Sequence, residues 1–186
     1  MSIVIERRSG IEIRAGGDGK SPRLVGYAAV FDAPSQDLGG FIEIVRRGAF
    51  GRTLRSTTAD PLALVQHKPD LVLGRRSAGT LRLAEDSKGL SFEIDMPPTQ
   101  AARDLLVSVE RGDIKGCSFA FVCPAGGDKW HMRGDQAVRE LHDVSLHEIT
   151  ITAQPAYPDT TVALRSLERL TSGPRLRSLR RFLETV

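Results

Sequence analysis

The chain has 186 residues, of which 40% are hydrophobic and 26% charged, enough for one domain with a hydrophobic core and a short appendage. Its net charge of +3 is uneven: residues 165–186 hold six Arg and two Glu, whereas the other 164 residues carry 20 basic and 21 acidic side chains. The positive excess therefore belongs to the tail, which argues against a folded body built to grip nucleic acid. The opening MSIVIERRSGIEIR lacks the apolar core of a signal peptide. No run approaches the roughly 20 apolar residues that a membrane span needs. Cys117 and Cys123 fall on one expected strand, roughly 20 Å apart along it and too far for a disulfide. A cytosolic protein in a reducing compartment, without a membrane partner, is expected.

Residues 3–6 and 11–14 read as short alternating strands, followed by the turn signal Gly16-Gly17-Asp18-Gly19. Residues 24–32 alternate, placing Val25, Tyr27, Ala29 and Phe31 on one face. A strand over 41–45 precedes a segment, 47–55, in which Phe50 and Leu54 sit at helical spacing. The run 62–67, LALVQH, is apolar enough to be central, and strands over 71–74, 79–84 and 90–96 follow. Asp86-Ser87-Lys88-Gly89 joins the last two as a hairpin turn. After Pro97-Pro98, Thr99 is a helix N-cap, and Ala102, Leu105, Leu106 and Val109 recur at helical spacing until Gly112. Strands resume over 114–123 and 139–152, and the QPAYP segment, 154–158, ends the sheet. Residues 160–170 read as helix, Gly173-Pro174 breaks it, and a basic amphipathic piece closes the chain. The pattern predicts a mainly β, α+β fold: a small closed or partly open β-barrel with helices outside. The expected division is a domain over 1–164 and a basic tail over 165–186.

Three segments could carry chemistry. In KGCSFAF, alternation sets Cys117, Phe119 and Phe121 on a bulky face, and Gly116, Ser118 and Ala120 on a nearly bare one. A bare face lets another backbone approach closely, although from this segment alone a small polar residue on a packed strand is the favoured reading of Ser118. His67 closes an apolar strand just before Pro69, which is expected to turn the chain away from the sheet. An imidazole at a strand end can be held by the scaffold and still take a hydroxyl proton near neutral pH; a surface histidine without a role is the alternative. The strand HDVSLHEITIT offers a third group, with Val144, Leu146, Glu148 and Thr150 on one face and Asp143, Ser145, His147 and Ile149 on the other. A carboxylate in line with apolar residues needs a partner, either the imidazole or one of the arginines.

The series GYAAVFD, FIEIVRRGAF, LVQHKPDLVLGR, GTLRLAEDSKGLSFE, VERGDIKGCSFAF and HEITITAQPAYPDT, in that order, resembles the prohead proteases of tailed phages from about residue 24 to 160. That family is similar to herpesvirus assembly proteases. The resemblance implies a herpesvirus-protease-like fold and a serine endopeptidase that cleaves capsid or scaffold proteins during virion maturation. It implies Ser118 as nucleophile, His67 as general base and no cofactor. The phage pattern places an acid at Glu148 of Leu146-His147-Glu148-Ile149, whereas the herpesvirus relatives carry a histidine, which makes His147 the alternative third member. The implied partners are the major capsid protein or its scaffolding segment and further copies of the chain. The implied location is the assembling prohead in the host cytoplasm.

Rival readings remain. A Cys117–His67 pair would make a cysteine protease, but Cys117 shares its face with two phenylalanines. Cys123, His131, His142 and His147 lack the spacing of a metal site. A non-catalytic capsid assembly or scaffolding module is the alternative from another class. The tail could contact nucleic acid, dock on an acidic scaffold, be cut by the protease itself, or simply be solvated. Its backbone-breaking Gly173-Pro174 makes residues 166–180 the expected place for a cut.

Overall fold

Short β-branched and aromatic runs, punctuated by Gly, Asp and Pro, fold as twelve strands among the described residues. The structure is a computed structural model that describes residues 5–10, 12–16 and 22–153. The QPAYP segment, the helix expected over 160–170, the tail and its boundary at 164/165 lie outside the described residues. In chain order the elements are β1 (Glu6–Gly10), β2 (Glu12–Gly16), β3 (Arg23–Val30), β4 (Phe41–Val45), α1 (Gly51–Arg55), β5 (Leu62–Val65) and β6 (Lys68–Arg75). Then come β7 (Leu81–Glu85), β8 (Gly89–Asp95), α2 (Gln100–Glu110), β9 (Gly116–Val122), β10 (Asp128–Arg133), β11 (Gln136–Leu141) and β12 (Ser145–Thr152).

The mainly β expectation holds, but the strands form three open sheets, and none closes into a barrel among the described residues. Their orders are β1-β9-β12-β5-β6, β2-β3-β8-β7 and β10-β11-β4. The first two sheets bury a shared core that includes Leu24, Phe92, Ile94, Phe119, Phe121, Ile149 and Ile151. Rings of Phe50 and Phe119 meet edge to face at 5.5 Å, and Phe119 stacks on Phe121 at 5.4 Å.

Local signals placed several elements well. Thr99 Oγ1 accepts from the Ala102 N–H at 3.3 Å, capping α2. At its other end Gly112 takes φ +78, and the N–H groups of Gly112 and Asp113 donate to Val109 and Ser108 carbonyls, a Schellman stop. Asp86 Oδ1 accepts from the backbone of Lys88 and Gly89, forming the expected turn between β7 and β8. Gly89 is required by its neighbour: a Cβ there would lie 2.0 Å from the Ala29 carbonyl oxygen.

Several expectations fail for identifiable reasons. The strand over 139–152 is two strands, β11 and β12, separated by residues 142–144, and β10 was not anticipated because its DKWHMR sequence is largely polar and exposed. The strand expected over 62–67 stops at Val65, since Gln66 and His67 adopt φ +49 and +56. Pro69 does not leave the sheet; it lies in β6, an edge strand, where its missing donor costs no ladder bond. Finally, the face assigned to residues 24–32 is broken by a register shift between Tyr27 and Ala29, so Leu24, Ala28, Ala29 and Phe31 are buried while Val25 and Tyr27 are not.

A buried ionic cluster fastens the three-stranded sheet to β1. Arg139, 1% exposed, donates to both oxygens of Glu6, to Glu43 at 3.1 Å and to Asp128 at 2.7 Å. Arg8 donates to Glu43 at 2.6 and 2.8 Å and to Glu6 at 3.0 Å. Burial works against the charge of Arg139, but the bonds from Glu6 and the nearby Glu43 and Asp128 outweigh it and raise its pKa. Truncating a buried ion pair on one side strands the other. Arg139→Ala is therefore expected to destabilise the fold by about 3–5 kcal/mol, read as a lowered urea midpoint with an unchanged m-value.

Candidate active site

The site is built on three neighbouring strands, β9, β12 and β5, and depends on a bulge in the middle one. Leu146 opposes Phe121 and Glu148 opposes Ala120, so His147 is the extra residue in β12. Strict alternation would keep Leu146 and Glu148 on one face, and that expectation is overturned here. Beyond the bulge Ile149 opposes Phe119 and Ile151 opposes Cys117, in the core, while Glu148 and Thr150 oppose Ala120 and Ser118 on the other face. Glu148 therefore stands not in an apolar row but on the small-residue face of β9. His147 is exposed at the bulge.

His67 reaches this face from the β5–β6 turn. Its left-handed backbone, uncommon for a residue with a Cβ, is held against β12 at two points. The Gln66 N–H donates to the Ile151 carbonyl at 3.0 Å, and the His67 N–H donates to Thr150 Oγ1 at 2.9 Å. Thr150 Oγ1 in turn donates to the Leu64 carbonyl at 3.1 Å. Thr150, which sequence reasoning overlooked, thus clamps the histidine turn while opposing Ser118 in the adjacent strand. A hydroxyl within an apolar ITIT strand was the available signal.

The His67 ring meets Glu148, with Nδ1 2.5 Å from Oε1. A carboxylate only accepts, so Nδ1 carries the proton in this bond, and Nε2 is an acceptor whenever the ring is neutral. Three buried side-chain polar atoms among the described residues lack any hydrogen-bond partner: Arg7 Nε, His67 Nε2 and Ser118 Oγ. Such atoms are costly unless something pairs with them in use. Two of the three are the acceptor nitrogen and the hydroxyl that acyl transfer from serine requires. Ser118 itself is 0% exposed.

The other candidates lie elsewhere. Cys117 is buried on the opposite face of β9, and burial pushes its thiol up to about 12. Cys123 follows the end of β9 and is pushed up to about 12, again chiefly by burial. His131 and His142 both lie beside Glu140, His142 Nε2 at 3.0 Å. Two polar clefts, of about 550 and 450 Å³, flank α1 and share Arg55 and Ser56; neither is lined by His67, Ser118 or Glu148.

Comparison with known proteins assigns the chain to a family. The caudovirus prohead serine protease family profile matches residues 9–172, and the chain belongs to that family. It is 33% identical over 112 residues to the prohead protease of Enterobacteria phage HK97, a match covering 59% of this chain and 46% of that protein. The matched region thus spans less than half the length of this relative. The structure of the bacteriophage T4 capsid assembly protease, gp21, superposes with a TM-score of 0.50 and 7% identity, over 78% of this chain and 98% of that one. At that identity the likeness is one of fold.

The thiols supply a test of the site's chemistry. A thiol raised from 9.0 to about 12 contributes stability that is intact below pH 9 and lost as pH climbs toward 12. In the folded chain at pH 8, alkylation of Cys117 should be at least about 100-fold slower than in the urea-unfolded chain. Peptide mapping of the labelled protein reads this directly.

Proposed function

We propose that the chain is a serine endopeptidase that cleaves capsid or scaffold proteins during prohead maturation, with Ser118 as nucleophile, His67 as general base and Glu148 as orienting acid. The single observation that carries the reading is the conjunction of a His67–Glu148 bond at 2.5 Å with an unbonded Nε2 and an unbonded Ser118 Oγ across one intervening strand. Nε2 takes the proton from Ser118 Oγ as it attacks the scissile carbonyl, Glu148 stabilises the imidazolium, and the ring then delivers the proton to the leaving amine. Backbone N–H groups would stabilise the oxyanion. Glu148 is preferred to His147 as third member because it already holds Nδ1 while His147 faces solvent. The similarity to the HK97 and T4 proteins supports action inside the assembling prohead, on the capsid protein or its scaffolding segment, among further copies of the chain. A herpesvirus-protease-like architecture belongs to the same reading.

Ser118→Ala and His67→Ala should each lower cleavage of a co-expressed capsid protein by about 10⁴-fold or more, and the double variant should be no slower than either. Glu148→Gln should cost about 10³–10⁴-fold with the fold intact by circular dichroism. Unchanged cleavage in Ser118→Ala, with normal assembly, would favour the scaffolding alternative. The tail, residues 165–186, is proposed as a substrate cut in trans by sister molecules. Intact mass should then show a shortened species in active preparations and full-length chain in Ser118→Ala; loss of the tail in both would point to a host enzyme.

A further inference from the structure

We infer, on the basis of the protease reading, that Arg7 is a specificity-determining residue: it receives an acidic side chain of the bound peptide within about two residues of the scissile bond. β1 is the edge strand beside β9, with Glu6, Arg7, Arg8 and Ser9 opposite Phe121, Ala120, Phe119 and Ser118. Directly opposed residues share a face, so Arg7 stands on the face of Ser118, in one row with Ala120 and Glu148.

Its neighbours fix it there. Glu6 and Arg8 point to the other face and are locked into the buried cluster with Glu43 and Arg139, and Arg8 also lies over the Phe121 ring at 5.5 Å. A one-residue slip of β1 would drive those charges out of their cluster and is strongly disfavoured. Arg7 is thereby held in a half-buried position with its Nε buried and unbonded. Among the described residues no carboxylate pairs with it. The acid in its own row, Glu148, is engaged by His67. Ala120, between them, is buried and offers it no hydrogen-bond partner.

A guanidinium kept partly out of water without a counter-ion is unfavourable, and a carboxylate that accepts its two-pronged donor set removes the penalty. Arg7 is the diagonal neighbour of Ser118 across the β1–β9 pair, a separation of about 7–8 Å, or roughly two residues of extended peptide. A peptide lying over Ser118 would therefore bring a side chain near the scissile bond to Arg7.

The test digests a mixed peptide library, derived from a bacterial proteome, with the full chain and maps the cut sites by mass spectrometry. Wild-type cuts should be enriched in Asp or Glu at one position within two residues of the scissile bond. For matched peptides differing only as Glu or Gln at that position, kcat/KM should favour Glu by roughly tenfold or more. Arg7→Gln should erase this ratio while leaving cleavage of the Gln peptide close to wild type, and Arg7→Glu should shift the preference to Lys or Arg. The wild-type Glu/Gln ratio needs no variant, and Arg7→Lys, which keeps the charge, should retain a weakened preference. A ratio near one in the wild type, or an acidic preference that survives in Arg7→Glu, would overturn the assignment of Arg7 while leaving the protease reading intact. Cuts that persist unchanged in Ser118→Ala would overturn the protease reading itself.

Discussion

The extra residue at His147 decides which side chains β12 sends to the core and which to the face of Ser118. Without it, β12 would present Leu146, Glu148 and Thr150 on one face, and the carboxylate would be buried against Phe119 and Phe121 or the apolar side chains turned outward. With it, the apolar row Leu146, Ile149, Ile151 runs unbroken against Phe121, Phe119 and Cys117, while Glu148 and Thr150 are handed to the face that carries Ser118. The bulge is tolerated because His147 itself is exposed, and core packing on either side fixes the register. Hydrophobic burial thus determines the position of a charged group it never touches.

The same strand organises the histidine. Two successive non-glycine residues in the left-handed region would not persist on propensity alone. They persist because Gln66 and His67 are bonded to Ile151 and to Thr150, and because Glu148 takes the ring. Three outward or backbone positions of β12 therefore set the backbone, the tautomer and the orientation of His67. The scaffold leaves Nε2 and Ser118 Oγ buried without partners, a cost that the packing and hydrogen bonds around them must offset.

At the far side of β9 a second constraint acts through charge. The cluster of Glu6, Arg8, Glu43 and Arg139 joins two sheets, with Trp130 and Phe121 lying against the guanidinium faces. Its geometry is demanding, since each carboxylate must meet both arginines, and that demand fixes the edge strand next to the serine. Packing against one face of β9 and ionic pairing along its edge are separate devices serving one strand. Neither contacts Ser118 directly.

Much of this was legible in the residues. The Thr99 cap, the Gly112 stop, the Asp86–Gly89 turn and the small-residue face of β9 are local features, and local sequence determines them because each depends on a few neighbouring dihedral angles and hydrogen bonds. The ordered motifs around His67 and Ser118 likewise pointed to the family. Whether the strands close, which face Glu148 takes, and where Thr150 and Arg7 stand relative to Ser118 were not legible. Alternation assumes an uninterrupted ladder, and the shifts at Tyr27/Ala29 and Leu146/Glu148 each insert one residue that reverses the parity of the positions beyond it. A bulge is stabilised by partners on other strands, so its position is a property of the assembled sheet. Arg7 was one of 26 basic residues in the sequence, and only the pairing of β1 with β9 set it beside the serine.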